Sequence, residues 1–415
     1  MIIERPEEIR RLNETKKWIL VYGRRKTGKT FLVENFVDYD EYFFIKRNKS
    51  IISKKDNKTI SYETFTEIVK RALEDNKIVV VDEFHRLGDD FFDFLHYTKK
   101  HGKLILISST LFLSKKLFSS RSALLGFFAE MPIGLVSIKD CIKTLSQFKL
   151  DKKQIVELAI LLREPIAIDY FDEKKKARKI LNEILIGSVK TIPALVGEIF
   201  TEEERSITAI YEGILRAVAN GKVVSGEISS YLFSKKLIEK NDPSMIQQYL
   251  KNLIGVGVIK KIGVFGKKKF VYKHVSTLAK LFYYADEKYN ISERKPDEKE
   301  MERIIDEIMP KIVEDNIREF FADKFGLKET VVEAKDYDVD ACLLKFKKPE
   351  MVVEVKWKEN VSEEDVIKAE KSLNKINTKK KILFVPDKKM LHSSTLDIVD
   401  ISDFIEKGEN KRVFI

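Results

Sequence analysis

The chain has 415 residues, 44% of them hydrophobic and 34% charged, which is too long for one ordinary core and predicts two or three domains. No apolar run approaches the roughly 20 residues that cross a bilayer, and the opening "MIIERPEEIRRLNE" has no signal-peptide core, so no membrane contact and a cytoplasmic location are expected. Two isolated cysteines, Cys141 and Cys342, argue against a disulfide framework or a zinc site, and the net charge of +11 permits contact with nucleic acid without proving it.

In chain order, the first informative stretch is "KKWILVYGRRKTGKTFLVENFVD". "WILVY" has the length and apolarity of a buried parallel strand, and "FLVENFV" continues with helical spacing. Between them Gly23 and Gly28 frame the pattern G-x-x-x-x-G-K-[ST]. Glycine lets backbone N–H groups curl around a phosphate, Lys29 reaches the outer phosphates and the Thr30 hydroxyl faces Mg²⁺. The predicted nucleotide contacts are Gly23, Arg24, Arg25, Lys26, Thr27, Gly28, Lys29, Thr30 and Phe31. The bland alternative is a chance match in a basic turn, which the strand before and the helix after argue against.

"KIVVVDEFHRL" is a β-branched run ending in Asp82 and Glu83. Asp82 is expected to hold Mg²⁺ through water, and Glu83 to polarise the attacking water. A third strand, "KLILISST", ends in Ser108, Ser109 and Thr110, of which Ser109 is the candidate γ-phosphate sensor; a serine-rich turn is the plain alternative. The loop and these strands resemble the archaeal ATPase family, a branch of the AAA+/STAND P-loop ATPases whose loop reads GRR-x-x-GKT. The resemblance implies ATP and Mg²⁺ as cofactors. That family places an arginine after Leu-Tyr-Gly beyond the sensor strand. In this chain "ALLGFFAEM" has Phe127 in that place, and the nearby Arg121 is not equivalent. The family's Gly-x-Pro element is represented by "LLREPIAI", which keeps Pro165 but lacks the glycine.

Residues 139–204 are helical in pattern and predict a lid. In 205–290 the order is helix to Asn220-Gly221, helix from about Ser225, then a helix capped by Asp242 and starting near Ser244. Two strands follow about a glycine-containing turn, "GVIKKIGVFGKKKFVYKHVS". This is the plan of a winged helix, which the resemblance also implies. Gln247, Gln248 and Lys251 are the candidate DNA-facing residues, with Lys267, Lys268 and Lys269 at the wing tip. The alternative is a module that only packs domains together.

"ISERKPDEKEMER" reads as a linker, followed by a helix and a segment predicting two strands and a further helix. "VDACLLKF" carries Asp340, and "MVVEVKWK" carries Glu354 and Lys356 on one strand face. An acid on one strand and Glu-x-Lys on the next is the arrangement of PD-(D/E)XK nucleases. In that reading Asp340, Glu354 and the helical Glu314 bind a divalent metal, and Lys356 stabilises charge or activates water. The alternative is a surface face of alternating charge. The expected fold class is α/β: a P-loop NTPase parallel sheet (1–138), helical lid (139–204), winged helix (205–290) and a C-terminal restriction-endonuclease-like domain (300–415). The expectation is that ATP binding controls how the rear domains engage DNA, with self-association into a homo-oligomer as a further expectation. A slow ATPase switch with an inactive nuclease-like domain stays open as the alternative.

Overall fold

The structure is a computed structural model, and it describes residues 1–99, 101–109, 124, 126–194, 209–294 and 296–405. Thr110 and Arg121 lie outside the described residues. The N-terminal unit runs α1 (Pro6–Glu14), β1 (Trp18–Tyr22), α2 (Lys29–Phe36), β2 (Glu41–Ile45), β3 (Ile51–Ser53), β4 (Lys58–Ile60), α3 (Tyr62–Glu74), β5 (Ile78–Asp82), α4 (Asp89–Tyr97), β6 (Lys103–Ser108) and β7 (Phe128–Pro132). Its sheet has the order β4-β3-β2-β5-β6-β1-β7. The run from β2 to β7 is parallel, and β3 and β4 turn back as an antiparallel edge. Because both faces are covered, the parallel strands read as continuous apolar runs. Leu20, Val79, Val81 and Leu106 face one core, while Ile19, Val21, Val80 and Ile107 face the other.

Next come α5 (Ile138–Leu145), α6 (Lys152–Leu162) and α7 (Ala177–Ser188). In α6 every residue from Ile155 to Leu162 is buried, so this helix is enclosed on all sides rather than lying on a surface. Then follow α8 (Ala209–Ala219), α9 (Ser225–Ser234), α10 (Gln247–Gly255), the antiparallel hairpin β8 (Ile259–Val264) and β9 (Phe270–His274), and α11 (Thr277–Tyr289). The helix expected near Ser244 opens instead as a 3₁₀ turn, Pro243–Ile246, with Asp242 accepting from the Ser244 N–H at 2.8 Å; α-helical bonding starts at Gln247.

The C-terminal part contains α12 (Glu298–Phe325), β10 (Lys328–Glu333), β11 (Asp338–Lys345), β12 (Lys348–Val355), α13 (Glu363–Leu373), β13 (Lys380–Phe384) and β14 (Asp397–Val399). Much of the expected linker is helix. Asp297 and Glu300 form a reciprocal capping box, and Met301, Ile304 and Ile305 bury on the inner side. A strand not anticipated from the sequence, β10, pairs antiparallel with β11. It also pairs in parallel with β8 through Thr330–Gly263 and Val331–Val264. The hairpin is thereby built into one seven-stranded sheet, β14-β13-β12-β11-β10-β8-β9. One hydrophobic core runs from Ile142 and Leu158 through Leu215, Leu253 and Phe282 to Phe321, Val353 and Phe384. The boundary drawn near 290–300 therefore falls inside a continuous sheet and core.

Candidate functional site

The loop between β1 and α2 owes its shape to two glycines. A Cβ on Gly23 would stand 2.1 Å from the Ile133 carbonyl oxygen, so only glycine lets the chain pass beneath the end of β7. Gly28 has φ +86 and leads directly into α2. Lys29 is buried, and its ammonium donates to the carbonyls of Gly23 (2.9 Å) and Arg24 (2.6 Å) across the loop. Burial pushes Lys29 down to about 8, against the opposing pull of Glu83 and Asp82. A cation held over a ring of backbone groups is placed to meet an incoming polyphosphate.

Behind the loop, the Thr30 hydroxyl donates to Asp82 Oδ2 at 2.7 Å. Tyr42 donates to the same oxygen at 2.9 Å from the neighbouring strand. Asp82 Oδ1 is buried without a hydrogen-bond partner, and burial raises the carboxyl's affinity for its proton. A buried acceptor beside a threonine hydroxyl at a parallel strand's end fits the donor set that Mg²⁺ requires.

Glu83 sits at φ +57, just past β5. Its Oε2 accepts from Ser109 at 3.1 Å and pairs with Arg86 at 2.9 Å, and His85 Nε2 lies 3.4 Å away. Burial, with Arg86, Arg25 and Lys29 around it, pushes His85 down to about 3, so the ring is neutral. A cavity of about 700 Å³ opens over the loop, lined by Arg25, Lys26, Gly28, Lys29, Thr30, Phe31, Glu83 and Ser109, and also by Glu34, Phe44 and Arg86.

Gly23, Arg24 and Thr27, also expected to meet the nucleotide, do not line this cavity. Gly23 and Arg24 serve it through their carbonyls, because the loop turns those oxygens inward toward Lys29. The Thr27 hydroxyl donates back to Arg24 O at 2.8 Å, and its own carbonyl accepts from Arg5 at 3.0 Å. The Arg24 side chain lies in a separate, smaller cavity with Glu164, Ile166, Tyr170 and Leu278. Pro165 reaches the loop from the other side and approaches Gly28. The sequence reading missed Tyr42, Arg86 and Glu164. Tyr42 reaches the site only through the order of strands and Glu164 only through the packing of the helices, whereas Arg86 stands three residues after Glu83 and pairs with it locally.

In the C-terminal sheet, β11 and β12 lie side by side, with Ala341 opposite Val353. Asp340 Oδ2 accepts from the Val355 N–H at 2.9 Å. Lys356 Nζ donates to Glu354 Oε1 at 2.7 Å, and Glu354 Oε2 is buried without a partner. Burial, Glu314 and Glu354 hold Asp340 well above the usual carboxylate range; burial also raises Glu354. Among the described residues no three His, Cys, Asp or Glu side chains form a metal-ready group. Two of the three carboxylates expected to hold a metal are engaged by lysines, Glu314 by Lys311 one turn away and Glu354 by Lys356, while both remain near enough to Asp340 to raise it.

Residues 15–139 match the family model described as an AAA domain. The matched stretch covers the sheet, the loop, Asp82 and Glu83. Beyond it, a protein of Methanocaldococcus jannaschii named Uncharacterized protein MJECL04 is 28% identical over 293 residues, covering 63% of this chain and 62% of the relative's length. Among solved structures, the Walker-type ATPase PABY2304 of Pyrococcus abyssi gives a TM-score of 0.48 at 19% identity, covering 68% of this chain and 96% of that one. The ORC2 protein of Aeropyrum pernix gives 0.37 at 10% identity, covering 75% and 92%. No described helix is long and apolar enough to cross a membrane.

Proposed function

We propose that the chain binds and hydrolyses ATP in its AAA domain and that nucleotide state controls how residues 209–405 engage nucleic acid. The observation that carries the ATP reading is the conjunction at one end of the sheet of the Lys29 loop, Thr30 on Asp82, and Glu83 held by Ser109 and Arg86 on the wall of the same cavity. Thr30 and Asp82 would hold a Mg²⁺ ion, which would supply neutralisation of the phosphate charge. Lys29 exchanges its loop carbonyls for phosphate oxygens. Glu83 takes the proton of the attacking water once its carboxylate is free of Arg86, and Ser109 orients it. Lys29→Ala is expected to abolish nucleotide binding. Glu83→Gln is expected to keep binding and lower turnover by about 10²-fold or more. Turnover equal to wild type in both variants would remove the assignment.

The nucleic-acid part rests on exposed Gln247, Gln248 and Lys251 on α10 and exposed Lys267 and Lys268 at the hairpin tip, beside a net charge of +11. Helix, helix, helix and hairpin in that order is the winged-helix plan. Lys269 is less available, since it pairs with Glu333. A gel shift over a salt series tests this: affinity that does not fall with salt argues against phosphate contacts. A cytoplasmic location and self-association belong to the same reading; light scattering with and without ATP tests the second.

A second reading, phosphodiester cleavage at Asp340, Glu354 and Lys356, is favoured by the partnerless Glu354 Oε2 beside Lys356. Cleavage of plasmid by wild type that is lost in Asp340→Asn and Glu354→Gln supports it; no cleavage, or cleavage unchanged in both, leaves the C-terminal domain as a binding module only.

A further inference from the structure

One end of the C-terminal sheet is lined with lysines. β10 and β12 begin there at Lys328 and Lys348, β11 ends there at Lys345, and β13 begins there at Lys380. Pairing makes this a single edge: Lys345 lies opposite Lys348, Lys328 lies opposite Leu344, and β13 runs parallel to β12. β8, parallel to β10, adds Lys261 near its own start. In the order β13-β12-β11-β10-β8 the five lysines fall on five adjacent strands. With about 4.8 Å between neighbouring strands, the row spans roughly 19 Å. Lys261, Lys328, Lys345 and Lys348 are exposed, and Lys380 is half-buried.

The acids at this end do not neutralise the row. Glu319 and Glu329 are already held by Arg163, Lys260 and Arg318. Three more stand nearby: Asp323 in the last turn of α12, Glu350 on β12 and Asp397 at the start of β14. Counting Lys347 in the turn between β11 and β12, six lysines stand against these three acids, and Lys379 and Lys381 flank Lys380.

That turn lies in the middle of the row. Its two residues, Phe346 and Lys347, have φ +48 and +70, the left-handed pair that a two-residue hairpin turn demands. Asn-Gly or Asp-Gly suits this backbone, whereas a bulky side chain rarely adopts it. Phe346 is 92% exposed, so burial does not account for an aromatic ring at this position. A ring standing in solvent among Lys345, Lys347 and Lys348 matches a partner that is anionic and offers flat apolar faces.

We propose that this edge binds single-stranded nucleic acid, with one base stacked on Phe346 and the backbone following the lysine row. Stacking requires an unpaired base, because a duplex keeps its base faces covered. The row is long enough for several phosphates, which are spaced at about 3.4 Å along the axis of one strand. An anionic lipid surface fits less well: even a single acyl chain holds a membrane only marginally, and here one ring stands alone at the tip. The edge lies roughly 20 Å along β12 from Glu354, and the β8–β9 tip projects from the opposite end of the sheet. The proposal rests on the nucleic-acid reading above for its class of partner, and adds a surface that takes unpaired strands.

The test titrates the full chain with a fluorescein-labelled oligothymidylate, read by anisotropy over a salt series. Phe346→Ala is expected to weaken binding about tenfold with the salt dependence unchanged. Lys345→Ala with Lys348→Ala is expected to reduce the slope of log affinity against log salt by about 1.4, two phosphate contacts' worth on a single strand. Phe346→Trp should keep the affinity, and its fluorescence should be quenched by the stacked base. Phe346→Asn should raise the Tm, because asparagine tolerates the left-handed backbone, yet lose the affinity; a purely structural role would not separate the two. ATP turnover by each variant should equal wild type. No single-strand binding by wild type, affinity unchanged in Phe346→Ala, or Phe346-dependent binding of phosphatidylserine vesicles with single-strand binding unaffected would each overturn the proposal. A duplex gel shift unaffected by Lys251→Ala, beside single-strand binding that depends on Phe346, supports this surface and counts against α10; the converse pattern overturns this surface alone.

Discussion

Lys29 shows how one residue's surroundings set a measurable property of the AAA domain. With its pKa at about 8 in the empty loop, the ammonium is partly deprotonated in mildly basic solution. Polyphosphate favours the charged form, so binding must draw a proton onto Lys29 wherever the pH lies near or above that value. ATP affinity is therefore expected to be full below pH 8 and to decline as pH rises through 8. Calorimetry at pH 8.5 in buffers of different ionisation enthalpy should show proton uptake of a sizeable fraction of one proton. Binding that is independent of pH between 7 and 9 would contradict the burial of this lysine. Tyr42 makes a smaller claim at the same scale: Tyr42→Phe removes one of two donors to Asp82 Oδ2 and is expected to cost about 1 kcal/mol of stability, checked by urea unfolding.

Among the elements, the end of α6, strand β8 and helix α12 are tied by Arg163, Lys260 and Glu319. Burial alone would raise Glu319, but Arg163 and Lys260 hold it down at about 2. A carboxylate depressed on folding contributes stability that is present above its unfolded value near 4.3 and is lost as pH falls toward the folded one. Acid unfolding should accordingly steepen between about pH 4.5 and pH 2, and Glu319→Gln should flatten that part of the curve. The same variant leaves Arg163 without its main charge partner and is expected to destabilise the chain by about 3 kcal/mol, measured by denaturant titration. A variant with unchanged acid sensitivity would show that the three elements are held by apolar packing alone. Glu157 plays a related part, receiving Arg178 at 2.8 Å and the Trp357 indole N–H at 3.0 Å, so that the helices after the AAA domain grip the end of β12.

For the whole molecule, the decisive feature is the distribution of cores. The N-terminal unit has its own pair of cores on either face of its sheet, whereas α5 to α7, the hairpin module and one face of the C-terminal sheet share another, with separate clusters on that sheet's other face and at the hairpin. A chain ending at residue 290 would expose the apolar positions of α6 and α11 that face α12. It is expected to bind a hydrophobic dye and to lose the cooperative unfolding of the full chain. A truncated chain that unfolds cooperatively with no dye binding would mean that the shared core is dispensable. The continuity also bears on mechanism: any change at the AAA domain that moves α6 must reach β12 through packed side chains, because interiors packed this densely transmit displacement.

Several features were set locally and could be read from the chain alone. The glycine loop, the strand carrying Asp82 and Glu83, the Asp242 cap and the hairpin about Gly266 follow from turn chemistry and periodicity, which act over a few residues. So does the alternation that puts Glu354 and Lys356 on one side of their strand. What only the tertiary structure decided depends on partners far along the chain. Strand order brings Tyr42 to Asp82; close approach of Ile133 makes Gly23 obligatory; β10 joins the hairpin to the C-terminal sheet. Helical pairing joins Glu314 to Lys311 while packing of the helix on the sheet brings it near Asp340. The lysine row at one end of the C-terminal sheet likewise has no local signature, because Lys328, Lys348 and Lys380 each come from their own strand and line up only through strand order.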